Sequence, residues 1–135
     1  MIALVRSAED VSAVVTGARR NGLQVMAQST GHGALPVGPL SHTVLVPTAG
    51  LNEVHVNPAE CTVWVGSGAE WEAVTAAATE HCLAVQAGSA PDVGVAGFLL
   101  SGGISWLSRS LGARCQRRDK GRGGWFGRHA ANRRP

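Results

Sequence analysis

The stretch QSTGHGALPVGPL, residues 28–40, decides how this 135-residue sequence is organised, because it separates two runs of regular secondary structure. Its three glycines and two prolines fit neither the period of a helix nor the alternation of a strand, so it is a long loop. Loops of this length inside compact domains are usually functional. The stretch is therefore a candidate ligand-binding loop.

A strand, a helix and a second strand precede this loop. The apolar run at residues 2–5 predicts the first strand, and Ser7 with Asp10 matches the capping box that opens a helix. An apolar stripe continues until Asn21-Gly22 supplies a left-handed stop, and residues 23–27 predict the next strand. The chain therefore begins with a β-α-β unit.

The loop is followed by short strands, a second helix and a second glycine-rich stretch. Strands are predicted at residues 43–46, 54–56, 62–65 and 83–86. Ser67 and Glu70 form a second capping box, which predicts a helix that buries Trp71, Val74, Thr75 and Ala78 and ends near Glu80. Residues 87–103 are again rich in glycine. This order predicts an α+β fold whose two glycine-rich loops form the site.

The three cysteines predict neither a disulfide framework nor a metal site. Cys61, Cys82 and Cys115 are odd in number and have no C-x-x-C or Cys/His ligand spacing. We expect reduced, buried thiols. Cys82 lies where a helix usually has a left-handed glycine, a conformation that costs other residues about 1 kcal/mol.

Charge divides the chain into two parts. Residues 114–135 hold eight of the twelve basic residues and one of the nine acids, a net charge of +7, whereas residues 1–113 carry −4. The basic tail shows no periodicity, so we expect it to be disordered. The body gives no reason to expect a specific nucleic-acid partner, and the absence of a long apolar stretch argues against a membrane or a signal peptide. We expect a cytoplasmic protein.

Small residues in the two loops let backbone amides approach a ligand closely. Successive amides in residues 28–34 and 88–97 can form a nest for an anion such as a pyrophosphate. Neither loop contains Lys or Arg, so amides would hold the anion. His32, between two glycines, could meet a ligand directly. The alternative is that the glycines only shape turns and that His32 is a solvated loop residue.

The order of motifs resembles a known family. TGHG at residues 30–33, VHVNP at 54–58, VGSGAEW at 65–71, GSAPDVGV at 88–95 and WLSR at 106–109 are similar to the FAD-binding PCMH-type domain of berberine bridge enzyme-like flavin oxidases. The resemblance covers residues 2 to about 112. It implies the N-terminal, incomplete part of a vanillyl-alcohol-oxidase-like α+β domain. It also implies an FAD-dependent oxidoreductase that oxidises alcohol or amine carbons, often with electron transfer to O₂.

The resemblance also implies which residues meet FAD. Residues 29–34 would wrap the pyrophosphate, and a ring nitrogen of His32 would bond to the flavin C8 methyl group. Ala90 stands where many relatives have a second, cysteine-based link, so a single covalent link at most is expected. The implied FAD-binding residues are Ser29, Thr30, Gly31, His32, Gly33, Ala34, Ser89, Asp92, Val93, Gly94, Gly97 and Gly102.

Other positions depart from the family pattern. Ser101 and Ser105 replace usual glycines, so backbone strain is expected there. Phe98 would pack against the dinucleotide or the core. Val93 would lie either beside the flavin ring or in the core.

The family pattern stops near Gly112. We expect residues 1–112 to be a partial FAD-binding domain and residues 113–135 to be a frameshifted tail. GC-rich synonymous codons for the tail, read one nucleotide later, can encode an alternating strand and an Asp-Gly turn at the expected place. The fragment would bind FAD but would have no catalytic residue and no turnover alone, since small-molecule substrates would bind only to the complete protein.

Two alternatives stay open. One is a small basic protein that binds nucleic acid or acidic partners through the Arg-rich tail. The other is a fragment that pairs with a separately encoded remainder.

Overall fold

The computed structural model describes residues 1–34, 38–111, 119–120 and 125–128. Helices and strands are mixed along the chain, which confirms the predicted α+β fold. They are α1 (Ala8–Arg20), β1 (Gln24–Gln28), β2 (Thr43–Pro47), β3 (Val54–Asn57), β4 (Thr62–Val65), α2 (Trp71–Thr79), α3 (Val95–Leu100), α4 (Ser108–Leu111), β5 (Asp119–Lys120) and β6 (Trp125–Arg128).

Helix α1 begins and ends at the residues that the sequence predicts. The Asp10 amide donates to Ser7 Oγ at 3.1 Å, and the Ser7 amide donates to the Asp10 carboxylate at 3.1 Å, so the capping box is present. Gly22 has a φ of 64°, the left-handed conformation predicted for the helix stop. Local sequence signals alone therefore define this helix.

A parallel pair of strands, β1 and β2, packs against α1. Their register places Val25 beside Val44 and Gln28 beside Pro47. The predicted first strand forms only an isolated parallel bridge between Ile2 and Leu45. The core on the α1 side of this sheet contains Val5, Ala18, Val44 and Val46.

A second core lies between the antiparallel β3–β4 pair and α2. Trp71, Val74 and Ala78 of α2 are buried against Val63 and Val65 of β4. Thr75, which the sequence placed on the same face, is exposed.

The capping box predicted for α2 is wrong. The helix begins after Glu70, and no side chain caps its first turn. Instead, the Trp71 amide donates to the Val93 carbonyl at 3.1 Å and the Glu72 amide donates to the Pro91 carbonyl at 2.9 Å. The second glycine-rich loop therefore replaces the side-chain cap, a tertiary contact that local sequence cannot reveal.

Two other elements differ from the prediction. Residues 83–86 form no strand, although Val85 and Gln86 are buried. Residues 95–100 form helix α3 inside the stretch that glycine content marked as a loop. Val95, Phe98 and Leu99 have helical spacing there, and the Phe98 amide donates to the Gly94 carbonyl at 3.1 Å.

The cysteines are more exposed than expected. Cys61 is partly exposed and Cys82 is exposed; both are free thiols, and Cys115 lies outside the described residues. Cys82 has the predicted left-handed conformation, with a φ of 55°, and Cys61 has one of 51° that the sequence did not indicate. Turn geometry at the surface therefore explains their positions better than burial does.

Two short strands of the tail extend the second sheet. Its order is β3-β4-β6-β5, and β6 pairs antiparallel with β4, so that Val65 lies beside Trp125 and Thr62 beside Arg128. The sequence predicted a tail without regular structure, and these six residues depart from that prediction. The open edge of β4 offers unpaired backbone groups, and Trp125 and Phe126 are residue types that favour strands. The rest of residues 112–135 lies outside the described residues, and the boundary near residue 112 and the frameshift stay predictions.

Within the described ranges, none of the helices has the length and apolar character needed to cross a membrane.

Candidate functional site

The two glycine-rich loops meet around one cavity of about 410 Å³. The first loop continues from the carboxyl end of β1, and the second leads into α3. Ligand pockets commonly have volumes of about 300–1,000 Å³, so the cavity has the size of a small-molecule site. Its lining residues are Met26, Ala27, Gln28, Ser29, Thr30, Gly31, His32, Gly33, Ala34, Val93, Gly94, Gly97, Phe98 and Ser101.

Contacts between residues more than 60 positions apart hold the loops together. The Gly94 amide donates to Thr30 Oγ1 at 3.2 Å. Gly94 is buried, and a Cβ at this position would lie 2.9 Å from Ser29 Cβ and even closer to Ser29 Oγ. Only glycine therefore lets the second loop approach the first this closely.

One buried polar group at the cavity lacks a partner. Ser29 Oγ is shielded from solvent and makes no hydrogen bond within the described part of the chain. Buried hydroxyl groups are normally hydrogen-bonded, so this one is a cost of packing Ser29 against Gly94, and its shielding leaves no room for a ligand atom at hydrogen-bond distance.

Backbone amides of the first loop are available as donors at the cavity. Among the described residues, the amides of residues 30–33 have no backbone or side-chain acceptor, whereas the Ala34 amide donates to the Gly31 carbonyl at 3.0 Å. Gly31 has a φ of 83°, which suits the turn that gathers these amides. The described lining residues include no Lys or Arg. An anion held here would be bound by uncharged donors.

His32 and Asp92 face each other from opposite loops. His32 Nε2 lies 3.5 Å from Asp92 Oδ2, and 48% of the His32 side chain and 68% of the Asp92 side chain are exposed. The expectation that His32 is accessible to a ligand fits this placement. The contact with Asp92 was not predicted.

Nine of the twelve predicted FAD-binding residues line the cavity. The other three are Ser89, Asp92 and Gly102. Ser89 lies instead in a second groove, of about 450 Å³, between α2 and residues 87–91. Asp92 reaches the cavity only through its contact with His32, and Gly102, with a φ of 86°, follows the lining residue Ser101. The roles of all twelve residues in binding FAD stay predictions.

Sequence reasoning missed part of the cavity wall. Met26 and Ala27 of β1 lie outside the predicted loop, which began at Gln28. The rule that ligands bind beyond the carboxyl ends of parallel strands could have indicated them. Phe98 lines the cavity and also packs edge-on against Trp71, with ring centroids 5.4 Å apart. It therefore contributes both to the core and to the site.

The strain expected at the two serines is absent. Ser101 has a φ of −86°, an ordinary value, and Ser105 is not among the described residues with positive φ. The neighbouring Gly102 takes the left-handed conformation instead. The turn therefore tolerates serine at both positions.

No group of three or more His, Cys, Asp or Glu side chains in the described ranges could hold a metal ion.

The known proteins to which this chain is similar are flavoproteins. Residues 1–118 match a family described as FAD binding domain. An FAD-linked oxidoreductase of Aspergillus niger, pynB, is 32% identical over 112 residues, which cover 83% of this chain and 21% of the relative. Berberine bridge enzyme-like 22 of Arabidopsis thaliana is 30% identical over 116 residues, which cover 83% of this chain and 22% of the relative.

A solved structure has the same fold. The crystal structure of 6-hydroxy-D-nicotine oxidase from Arthrobacter nicotinovorans superposes with a TM-score of 0.80 at 27% identity, and the match covers 87% of this chain and 26% of that one. This chain thus spans about a quarter or less of the length of these relatives. From the family match over residues 1–118 and the shared fold, the chain belongs to the FAD binding domain family of the berberine bridge enzyme-like, FAD-linked oxidoreductases.

Proposed function

We propose that this chain is the FAD-binding part of a flavin-dependent oxidoreductase and that residues 29–34 and 93–97 hold the FAD pyrophosphate. The observation that carries the proposal is the set of backbone amides at residues 30–33, which belong to lining residues of the cavity and have no acceptor among the described residues. Pyrophosphate oxygens would accept their hydrogen bonds. We name FAD as the ligand because residues 1–118 match the FAD binding domain family.

The donors present suit a pyrophosphate. The amides of residues 30–33 are all uncharged donors. Such nests bind phosphate groups without a cation. The Gly94 amide already donates to Thr30 Oγ1 and is not available to a phosphate. The first loop therefore supplies most of the donors.

When bound, FAD would accept the electron pair from a substrate carbon. The described residues would bind and orient the cofactor. No catalytic base is assigned among them, and the substrate and its oxidation belong to the complete protein. We also propose, from the sequence alone, a cytoplasmic location.

The alternative based on the basic tail has no support from the relatives. The proteins named above are FAD-linked oxidoreductases or resemble them, and the described residues that line the cavity all lie between Met26 and Ser101. We therefore keep FAD binding as the function.

Titration with FAD tests the proposal. We expect weak binding, with a Kd on the order of 100 µM, because the chain presents few of the contacts that a complete flavoprotein makes. Quenching of flavin fluorescence on addition of the folded protein would measure it. A folded protein that leaves FAD fluorescence unchanged at millimolar concentration would contradict the proposal.

A covalent flavin, if the chain forms one, should be attached at His32 alone. Ala90 has no nucleophile, and Cys61 and Cys82 do not line the cavity. His32→Ala should therefore abolish any flavin mass adduct seen by intact-protein mass spectrometry after incubation with FAD. His81→Ala, which removes an exposed histidine outside the cavity, is the matched control. An adduct that persists in His32→Ala would show that the assignment of His32 is wrong.

A further inference from the structure

The contact between His32 and Asp92 joins the two loops at the cavity. His32 Nε2 and Asp92 Oδ2 are 3.5 Å apart, and His32 itself lines the cavity. This separation is longer than that of an N–H···O hydrogen bond, so the contact acts through the position and charge of the carboxylate.

Backbone hydrogen bonds fix the position of Asp92. The carbonyls of the residues on either side of it, Pro91 and Val93, accept the amides of Glu72 and Trp71 in the first turn of α2. The exposed Asp92 side chain therefore extends from a backbone that these hydrogen bonds hold in place.

The first loop is held in a similar way. Thr30 Oγ1 accepts the Gly94 amide, and the Ala34 amide donates to the Gly31 carbonyl. These bonds lie on both sides of His32. The approach of the two side chains therefore follows from the fold of both loops.

A carboxylate beside one ring nitrogen of a neutral imidazole determines which of the two nitrogens is protonated. In a neutral imidazole one nitrogen donates and the other accepts, and an ionised carboxylate can only accept. The Asp92 contact therefore favours hydrogen on His32 Nε2. Nδ1 then keeps its lone pair, and no hydrogen-bond donor for it is found among residues 1–34 and 38–111.

We propose that Asp92 is a positioning residue for His32, which holds the imidazole as the Nε2–H form and leaves Nδ1 free for a ligand in the cavity. The inference rests on the proposed function, because FAD is the ligand that His32 would meet. It assigns Asp92 a role through His32 and not through direct contact with FAD.

The nitrogen resonances of the His32 imidazole test this directly in the full chain without FAD. Spectra of ¹⁵N-labelled protein would be recorded at about pH 8.5, where an ordinary imidazole is neutral. We expect Nε2 to show the shift of a protonated nitrogen and Nδ1 that of an unprotonated one. In Asp92→Asn the amide can donate to Nε2, so the two resonances should move toward the opposite assignment.

Glu60→Gln, which neutralises an exposed acid in the β3–β4 turn, is the matched control and should leave the His32 resonances unchanged. Backbone amide spectra establish that each variant is folded. Identical His32 resonances in the wild type and in Asp92→Asn, or hydrogen on Nδ1 in the wild type, would overturn the inference.

The FAD titration separates this inference from the proposed function. A change of tautomer in Asp92→Asn together with no FAD binding by the wild type would support the pairing and contradict FAD binding. FAD binding together with unchanged His32 resonances would overturn the pairing and leave the proposed function standing.

Discussion

Trp71→Ala will lower the free energy of unfolding by about 3–5 kcal/mol, which is a large fraction of the stability of a small domain. Trp71 is 1% exposed, belongs to the core between α2 and β4, and packs edge-on against Phe98. Truncation leaves a cavity that the valines around it cannot fill. Urea unfolding followed by circular dichroism measures the loss.

Trp106→Ala is the control for this prediction. Trp106 is 84% exposed, so its truncation should change the unfolding free energy by less than about 0.5 kcal/mol. If Trp71→Ala cost no more than Trp106→Ala, the packing described for α2 would be wrong.

Gly94→Ala will reduce the affinity for FAD by about tenfold or more, equivalent to at least about 1.4 kcal/mol. The new Cβ would overlap Ser29, the residue with the unpaired buried hydroxyl, so the first loop must move away from the second. Fluorescence titration of the variant against the wild type measures the change.

Gly17→Ala provides the matched control, since a Cβ at this position in α1 meets nothing within 4 Å. It should bind FAD as the wild type does. Equal FAD affinity in Gly94→Ala and the wild type would show that the close approach of the loops is not needed for binding.

Elements with complete local signals could be predicted from the sequence. Ser7, Asp10 and Gly22 define α1 without help from the rest of the chain, and alternating valines define β4. Helix α2 could not be placed in the same way, because its first amides are bonded to the carbonyls of Pro91 and Val93, about 20 residues later. Local propensity does not report such contacts.

The site was predictable as two loops but not as one cavity. Glycine content marked residues 28–34 and 88–97, and the family resemblance linked them to FAD. Helix α3 was missed because the glycines near Val95 and Phe98 concealed a short helical repeat. The pairing of His32 with Asp92 depends on the relative placement of two segments 60 residues apart, which no local pattern specifies.

The most direct test of FAD binding by the two loops is an amide spectrum of the ¹⁵N-labelled full chain during titration with FAD. We expect the largest shifts to fall on residues 29–33, ADP to cause similar shifts, and riboflavin, which lacks the pyrophosphate, to cause none. Unchanged amides at residues 29–33 in saturating FAD, or shifts confined to the basic tail, would contradict FAD binding by the two loops.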